Sequence, residues 1–226
     1  MTNFIQSSPG SAGSNVYTEL KRQIVSLELP PGTLLSEKEM SVAFNVSRTP
    51  VRESFVRLAQ EGLVVVLPQR GTRVALIDAD LVLEARFMRE QLERAVIRLA
   101  CDSFPQELLS ALEKNLALQQ ESILQQESKA MFELDEQFHR ILFEGGDKLW
   151  TWSTIQQMNA HLNRSRMLWL QTDPNWARLF KQHQEMYEAI SSHNGDLADR
   201  IMQEHLTLSI SDLELLQKKF PDYYHS

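Results

Sequence analysis

The chain has 226 residues, 42% of them hydrophobic and 23% charged, with a formal net charge of −7. That length suits one or two domains with ample core, and the composition is that of a globular protein. No apolar run reaches the ~18–20 residues of a membrane span, and the lone Cys101 excludes an intrachain disulfide or a cysteine-built zinc ribbon.

Residues 1–14 have no basic residue and no apolar block, so they read as a flexible arm and not as a secretory signal. With a single cysteine, the expected location is a reducing cytoplasm. The charge is divided unevenly: residues 15–77 carry eight Lys/Arg against six acids, whereas residues 78–226 sum to −9. An acidic total therefore does not oppose nucleic-acid binding, because the basic excess sits in one small segment.

In that segment, Val16, Leu20, Ile24 and Leu27 recur at helical spacing until "PPG" stops the helix. "TLL" is a short extended piece. Ser36 and Glu39 stand in capping-box spacing, so a second helix opens there with Met40, Ala43 and Phe44 inward. Asn45 can take the left-handed conformation that ends it. Ser47 is a good N-cap and Pro50 fits a first helical turn, which predicts a third helix over 47–61 closed by Gly62. Its Arg48 and Arg52 share an outward face, and Val51, Phe55 and Leu58 form the stripe that packs. Taken alone, such an arginine pair is better explained by an ordinary solvated face. "LVVVL" and "TRVAL", separated by "PQRG", read as a hairpin. Helix, helix, turn, helix, hairpin is the order of a winged helix-turn-helix, whose recognition helix enters the major groove by its N-terminal end. That order places Arg48 and Arg52 at DNA, and the Ser47 and Thr49 hydroxyls at a helix N-terminus suit phosphate oxygens.

The run "PPGTLLSEKEMSVAFNVSRTPVRESFVRLAQEGLVVVLPQRGTRV" resembles the DNA-binding domain of the GntR family of bacterial transcription regulators. The resemblance implies a homodimer on double-stranded operator DNA. Its DNA contacts fall on Lys38, Arg48, Thr49 and Arg52, with Arg70 and Gly71 at the wing tip; Ser47 and Pro50 stand at the family's helix-start positions.

Beyond the wing the strand pattern ends and six amphipathic helices follow. The first covers 80–101, with apolar residues at 81, 85, 88, 92, 96 and 99. Pro105 starts the second, "KAMFELDEQFHRILFEGG" is the third, and Asp147 caps a fourth running to about 170. Asp173–Pro174 begins a fifth, and a sixth runs from Asp196 to about Lys219. The predicted architecture is mainly α: a winged helix-turn-helix over 15–78, then an all-α six-helix bundle over 79–226.

Within the bundle, Asp135 and His139 share a stripe with Met131 and Leu142, and His183 and His205 lie among apolar positions of their helices. Ionisable groups pointing into a core are costly unless paired or metal-bound. One inward histidine is ordinarily a hydrogen-bonded core residue. Three of them, with an aspartate four residues before one, point to a divalent metal site suited to Zn, Ni, Mn or Fe. His161 has no clear apolar register, His193 sits at a helix C-terminus, and His225 is in the tail.

The "D-x3-H … H … H" arrangement after a winged helix resembles the FCD ligand-binding domain of the FadR subfamily, in its shorter VanR-type form. That resemblance implies a divalent metal on Asp135, His139, His183 and His205, which helps to hold a small carboxylic acid, a sugar acid being one candidate. "REQLE" resembles the family's R-x3-E, which makes Arg89 a candidate effector contact; an i,i+4 salt bridge to Glu93 explains it equally well. Arg164 and Arg166 are further candidates. The expected function is a ligand-responsive transcription regulator acting as a repressor, and not an enzyme. A metal sensor and a metal-dependent enzyme are the alternatives.

Overall fold

The computed structural model describes residues 12–68, 70–172, 176–208 and 213–225. Residues 1–11 of the expected arm and the expected Asp173–Pro174 helix start lie outside these. The chain divides into two compact units, one reaching to Ile77 and including the tail from Asp222, the other Asp78–Pro221.

The first unit runs α1 (Ala12–Val25), β1 (Leu34–Leu35), α2 (Glu37–Ala43), α3 (Arg48–Gln60), β2 (Val64–Leu67) and β3 (Gly71–Val74). Helix therefore already covers the end of the segment expected as an arm. The strands form one antiparallel sheet of order β1-β3-β2, with Leu34 opposite Arg73 and Val64 opposite Val74. Val16, Leu20 and Ile24 of α1 and Val51, Phe55 and Leu58 of α3 are buried as their spacing predicts. Asn45 and Gly62 end α2 and α3 with positive φ (51° and 69°). Two local expectations fail. Of the expected inner face of α2, Met40 and Phe44 are only half-buried and Ala43 is exposed, so none of α2 is fully buried. Ser47 occupies the N-cap position of α3, yet its side chain makes no capping hydrogen bond.

The tail returns to this unit. The Ile77 N–H donates to Tyr223 O at 2.7 Å and the His225 N–H to Ile77 O at 2.9 Å, while Ile77 and Tyr224 are buried. Residues 222–225 thus group with the winged segment, whereas the sequence pattern had assigned them to the helical part.

The second unit is helical: α4 (Ala79–Asp102), α5 (Gln106–Leu124), α6 (Ser128–Gly145), α7 (Leu149–Met158), α8 (Ala160–Thr172), α9 (Trp176–Ser191), α10 (Gly195–Leu208) and α11 (Leu213–Lys219). The predicted fourth helix is interrupted at Asn159, and the predicted sixth is described as two stretches, α10 and α11. Asp147 does not cap α7. It takes a left-handed φ of 54° and Lys148 holds the N-cap position. The main core gathers Val96 and Ile97 of α4, Phe138 and Leu142 of α6, Met186 of α9 and Met202 of α10. α8 is buried on every side from Ala160 to Leu170. Among the described residues no helix is long and apolar enough to cross a membrane.

The register of α4 differs from the predicted stripe. Leu81 and Leu99 are exposed, and the buried face is Val82, Ala85, Arg89, Glu93, Val96, Ile97 and Ala100. Two charged residues lie on the inward face, so a reading by hydropathy rotates the helix toward its outer leucines.

Candidate metal centre and nucleic-acid interface

Asp135 and His139 lie one turn apart on α6, so both side chains leave the same face. α9 brings His183 and α10 brings His205. One ligand atom from each of the four lies within 4.8 Å of every other, and all four residues are buried. The three histidines present Nε2 to the centre. His139 Nε2 is 3.2 Å from His205 Nε2, and Asp135 Oδ1 is 3.6 Å from His183 Nε2 and 3.9 Å from His205 Nε2. Ligands about 2.1 Å from a metal stand ~3.0–3.4 Å apart at octahedral or tetrahedral angles, close to these separations.

The opposite ring nitrogens are tied down. His183 Nδ1 donates to Gln119 Oε1 at 2.8 Å. That oxygen is turned to the ring because Gln119 Nε2 donates to Asn115 Oδ1 at 2.6 Å, and Asn115 Nδ2 in turn donates to Leu134 O at 3.0 Å. His205 Nδ1 is 3.3 Å from Gln182 Oε1, and His139 Nδ1 lies against Glu93 Oε2. An acceptor at each Nδ1 keeps the proton there and leaves the Nε2 lone pair inward, which is the arrangement that supports metal-ligating histidines. His183 Nε2 is buried with no hydrogen-bond partner. A buried acceptor in that state is explained by an ion, so the donor set fits a divalent metal.

Electrostatics agree. Burial alone would raise the Asp135 carboxyl, but the Arg166 guanidinium beside it holds it well below the usual carboxylate range. Burial likewise works against Glu93, which Arg89 and His139 hold at about 2. Burial pushes His183 down to about 3 and His205 well below its ordinary value, so both are neutral and able to ligate.

A chain of ion pairs runs outward from the centre. Arg166 of α8 pairs with Asp135 through Nη2 and donates to Glu136 Oε1 through Nη1 at 2.5 Å. Arg89 of α4 donates to the same oxygen at 3.1 Å and, through Nε, to Glu93 Oε1 at 2.5 Å. The expected Arg89–Glu93 salt bridge is therefore present, and it belongs to the metal surroundings. Of the two α8 arginines, Arg166 joins this chain, whereas Arg164 Nη2 lies 3.2 Å from His161 Nδ1. His161 also accepts the Asp78 N–H at 2.9 Å, giving that histidine a role at the start of α4.

Sequence patterns did not single out Glu136, Gln119 or Gln182. The signal for Gln119 was present: with Leu112, Asn115 and Leu116 it occupies the buried stripe of α5, where a polar residue needs a partner. For Glu136 there was none, since its neighbours come from α4, α7 and α8.

In the first unit, Lys38, Arg48, Arg70 and Gly71 line one cleft of about 640 Å³ between the start of α2, the start of α3 and the wing. Gly71 has a φ of 95°, and a Cβ there would stand 3.2 Å from Leu35 O, so this wing position calls for glycine. Ser47 and Thr49 are exposed and Pro50 half-buried at the start of α3. Arg52 lies outside the cleft-lining set. Its Nε and Nη2 each donate to Glu37 at 2.9 Å, with 69% of the side chain exposed. Glu37 thus holds the fork outside α3, an arrangement that pattern reading did not anticipate.

Comparison with known proteins agrees with both units. Residues 12–74 match the gntR family of bacterial regulatory proteins and residues 84–208 match the FCD domain. The chain is 35% identical over 209 residues, 92% of each chain, to the HTH-type transcriptional repressor RspR of Escherichia coli strain K12. It is 36% identical over 214 residues, 93% of this chain and 88% of the other, to an HTH-type transcriptional regulator from an unstable DNA locus of Streptomyces ambofaciens. Among solved structures, E. coli McbR/YncC superposes with a TM-score of 0.80 at 19% identity, covering 94% of this chain and all of that one, a likeness of fold.

Proposed function

The chain belongs to the GntR family of bacterial regulatory proteins and carries an FCD domain, and on that premise we propose that it is a metal-dependent repressor of the FadR subfamily, binding a palindromic operator as a dimer. The DNA-contact set is Lys38, Ser47, Arg48, Thr49, Pro50, Arg52, Arg70 and Gly71. The observation that carries the reading is the convergence of three histidine Nε2 atoms and the Asp135 carboxylate in a buried centre. Asp135, His139, His183 and His205 would hold a divalent ion (Zn, Ni, Mn or Fe), which supplies a Lewis-acidic positive charge there. In its simplest form the metal is itself the signal. The repressor direction follows RspR, which is named as one. The family is one of DNA-binding regulators and not of enzymes.

A second reading rests on a separate observation: Arg89 Nη2 is buried without a hydrogen-bond partner, and Arg89 is linked through Glu93 to His139. A divalent ion held by these four residues would supply positive charge to the carboxylate of a small acid, a sugar acid being one candidate, and Arg89 would be the acid's further contact. A ligand shifts DNA affinity only by binding one arrangement of the protein better than the other.

Both readings are tested on a DNA selected by the protein from a random pool. Operator affinity is measured for chelator-stripped, metal-loaded, and metal-plus-acid protein. A change of at least tenfold on metal loading supports the sensor. A change only when acid joins the metal supports the acid effector. Constant affinity in all three overturns the assignment of the centre as the switch.

A further inference from the structure

Arg52 is exposed on α3, whose Val51, Phe55 and Leu58 are buried. Its guanidinium is nevertheless fixed, and from a different element. Nε donates to Glu37 Oε1 and Nη2 to Glu37 Oε2, both at 2.9 Å, on α2 and 15 positions earlier in the chain. This is the two-point geometry in which a planar guanidinium and a carboxylate hold each other in one plane. Arg52 also holds the Glu37 carboxyl below its ordinary range, so the acid stays charged. An exposed ion pair adds little to stability, so orientation is its main consequence.

Arginine carries five N–H donors, and this fork occupies two of them. Both hydrogens of Nη1 and the second hydrogen of Nη2 are left. Nη1 and Nη2 together form the end-on edge of the guanidinium, a second parallel fork beside the edge that Glu37 takes. Two parallel donors of this kind match guanine O6 and N7 in the major groove, the commonest base-specific contact of arginine. A free arginine must give up rotamer freedom to make that contact, whereas Glu37 has already aligned this one. The carboxylate has a second effect. Glu37 lines the same cleft as Lys38, Arg48 and Arg70, and a negative charge on a DNA-facing surface opposes phosphate at every sequence. It weakens non-specific binding while the aligned Arg52 strengthens binding at one base, and specificity is the ratio of the two.

We propose that Glu37 is the positioning residue of the DNA surface: it holds Arg52 so that Nη1 and Nη2 read one guanine in each operator half-site, and it makes that position stringent. The inference rests on the reading of α3 as the recognition helix.

Selection of DNA from a random pool by the full chain, by Arg52→Ala and by Glu37→Ala tests this. We expect Arg52→Ala to lose a guanine preference at one position of the half-site, and Glu37→Ala to lose it at the same position. Affinity of Glu37→Ala for the wild-type operator should fall at least tenfold, the discrimination expected of one base-reading arginine. Its affinity for random-sequence DNA should rise, and its melting temperature should stay that of the wild type. With Arg52 already alanine, adding Glu37→Ala should relax no further position. Glu37→Gln, which keeps the size and one acceptor without the charge, takes the place of the alanine variant if that does not fold. Equal loss of affinity for all sequences in the Glu37 variant would make the residue structural and overturn the inference. Tighter operator binding by that variant would overturn it too, since the pair would then be a latch that DNA has to break. If Arg52→Ala loses the guanine preference and the Glu37 variant keeps it, only the role of Glu37 falls. If Arg52→Ala keeps every base preference, the assignment of Arg52 as a base reader falls with it.

Discussion

Arg166 satisfies one oxygen of Asp135 and leaves the other facing the imidazoles, so it acts as the counter-charge of the centre. Arg166→Met would leave Asp135 without its guanidinium partner in a buried site, while Glu136 keeps Arg89 and Gln156, and removing one partner of such a pair costs roughly 3–5 kcal/mol. A metal ion restores part of the missing charge. Chemical denaturation should therefore show a large loss of stability in chelator and a clearly smaller one with Zn²⁺. Equal losses would detach Arg166 from the centre. Glu93→Gln weakens the hold on His139 Nδ1, and outer partners of this kind change metal affinity by about 10–100-fold; a competition titration with a chromophoric chelator measures it. Acid should destabilise the metal-stripped protein in a defined window. Burial lowers His183 from 6.5 to about 3, so below about 6.5 the unfolded chain takes up a proton that the folded chain refuses. The His183 contribution is complete above that pH and is lost progressively as pH falls toward about 3. Denaturation midpoints between those limits check the sign. Metal occupancy should fall over the upper part of the same range, because the ligands must be unprotonated.

At the scale of elements, α3 and the wing present the candidate DNA surface. Arg52→Ala should weaken binding to the selected operator at least tenfold, since a base-reading arginine contributes about 1–3 kcal/mol of discrimination. Lys38→Ala, acting on phosphate, should lower affinity for all sequences alike and reduce the salt slope by about one. Unchanged operator affinity for both Arg48→Ala and Arg52→Ala would remove α3 as the recognition helix. Gly71→Val forces a side chain into a left-handed position against Leu35 O, at roughly 1–2 kcal/mol. Thermal melting should report that loss while metal content stays the same. The elements also show where pattern reading works. The stripes of α1 and α3 are simple alternations of apolar and polar positions, so Leu20 and Phe55 land where expected. In α4 the inward face carries Arg89 and Glu93, and hydropathy cannot mark a buried ion pair as inward.

For the whole molecule, the chain crosses between its two units twice, at Ile77–Asp78 and at Pro221–Asp222. Ile77 is fully buried and hydrogen-bonded to the tail on both its N–H and its C=O. Truncation after Phe220 should expose it, at a cost of about 1.5–3 kcal/mol for one large aliphatic side chain. Rapid hydrogen exchange at the Ile77 amide is the signature to look for. If operator DNA and an acid are coupled, each must weaken the other by the same factor. Titrating the acid with and without operator checks that reciprocity.

The sequence by itself determined the order of elements in the winged segment, through caps, turn residues and short-range periodicity, all of which act within a few residues. It also placed Asp135 and His139 on one helical face and marked His183 and His205 as inward, because a polar residue in an apolar stripe is visible locally. Only the tertiary structure decided that these four meet within 4.8 Å, that Glu93, Gln119 and Gln182 turn each imidazole the same way, and that Glu136 gathers Arg89, Gln156 and Arg166. The physical reason is range. Helix propensity and capping depend on neighbours within a few residues, whereas these contacts join groups as far apart along the chain as Asp135 and His205, and charge pairing across such distances leaves no periodic trace in the chain.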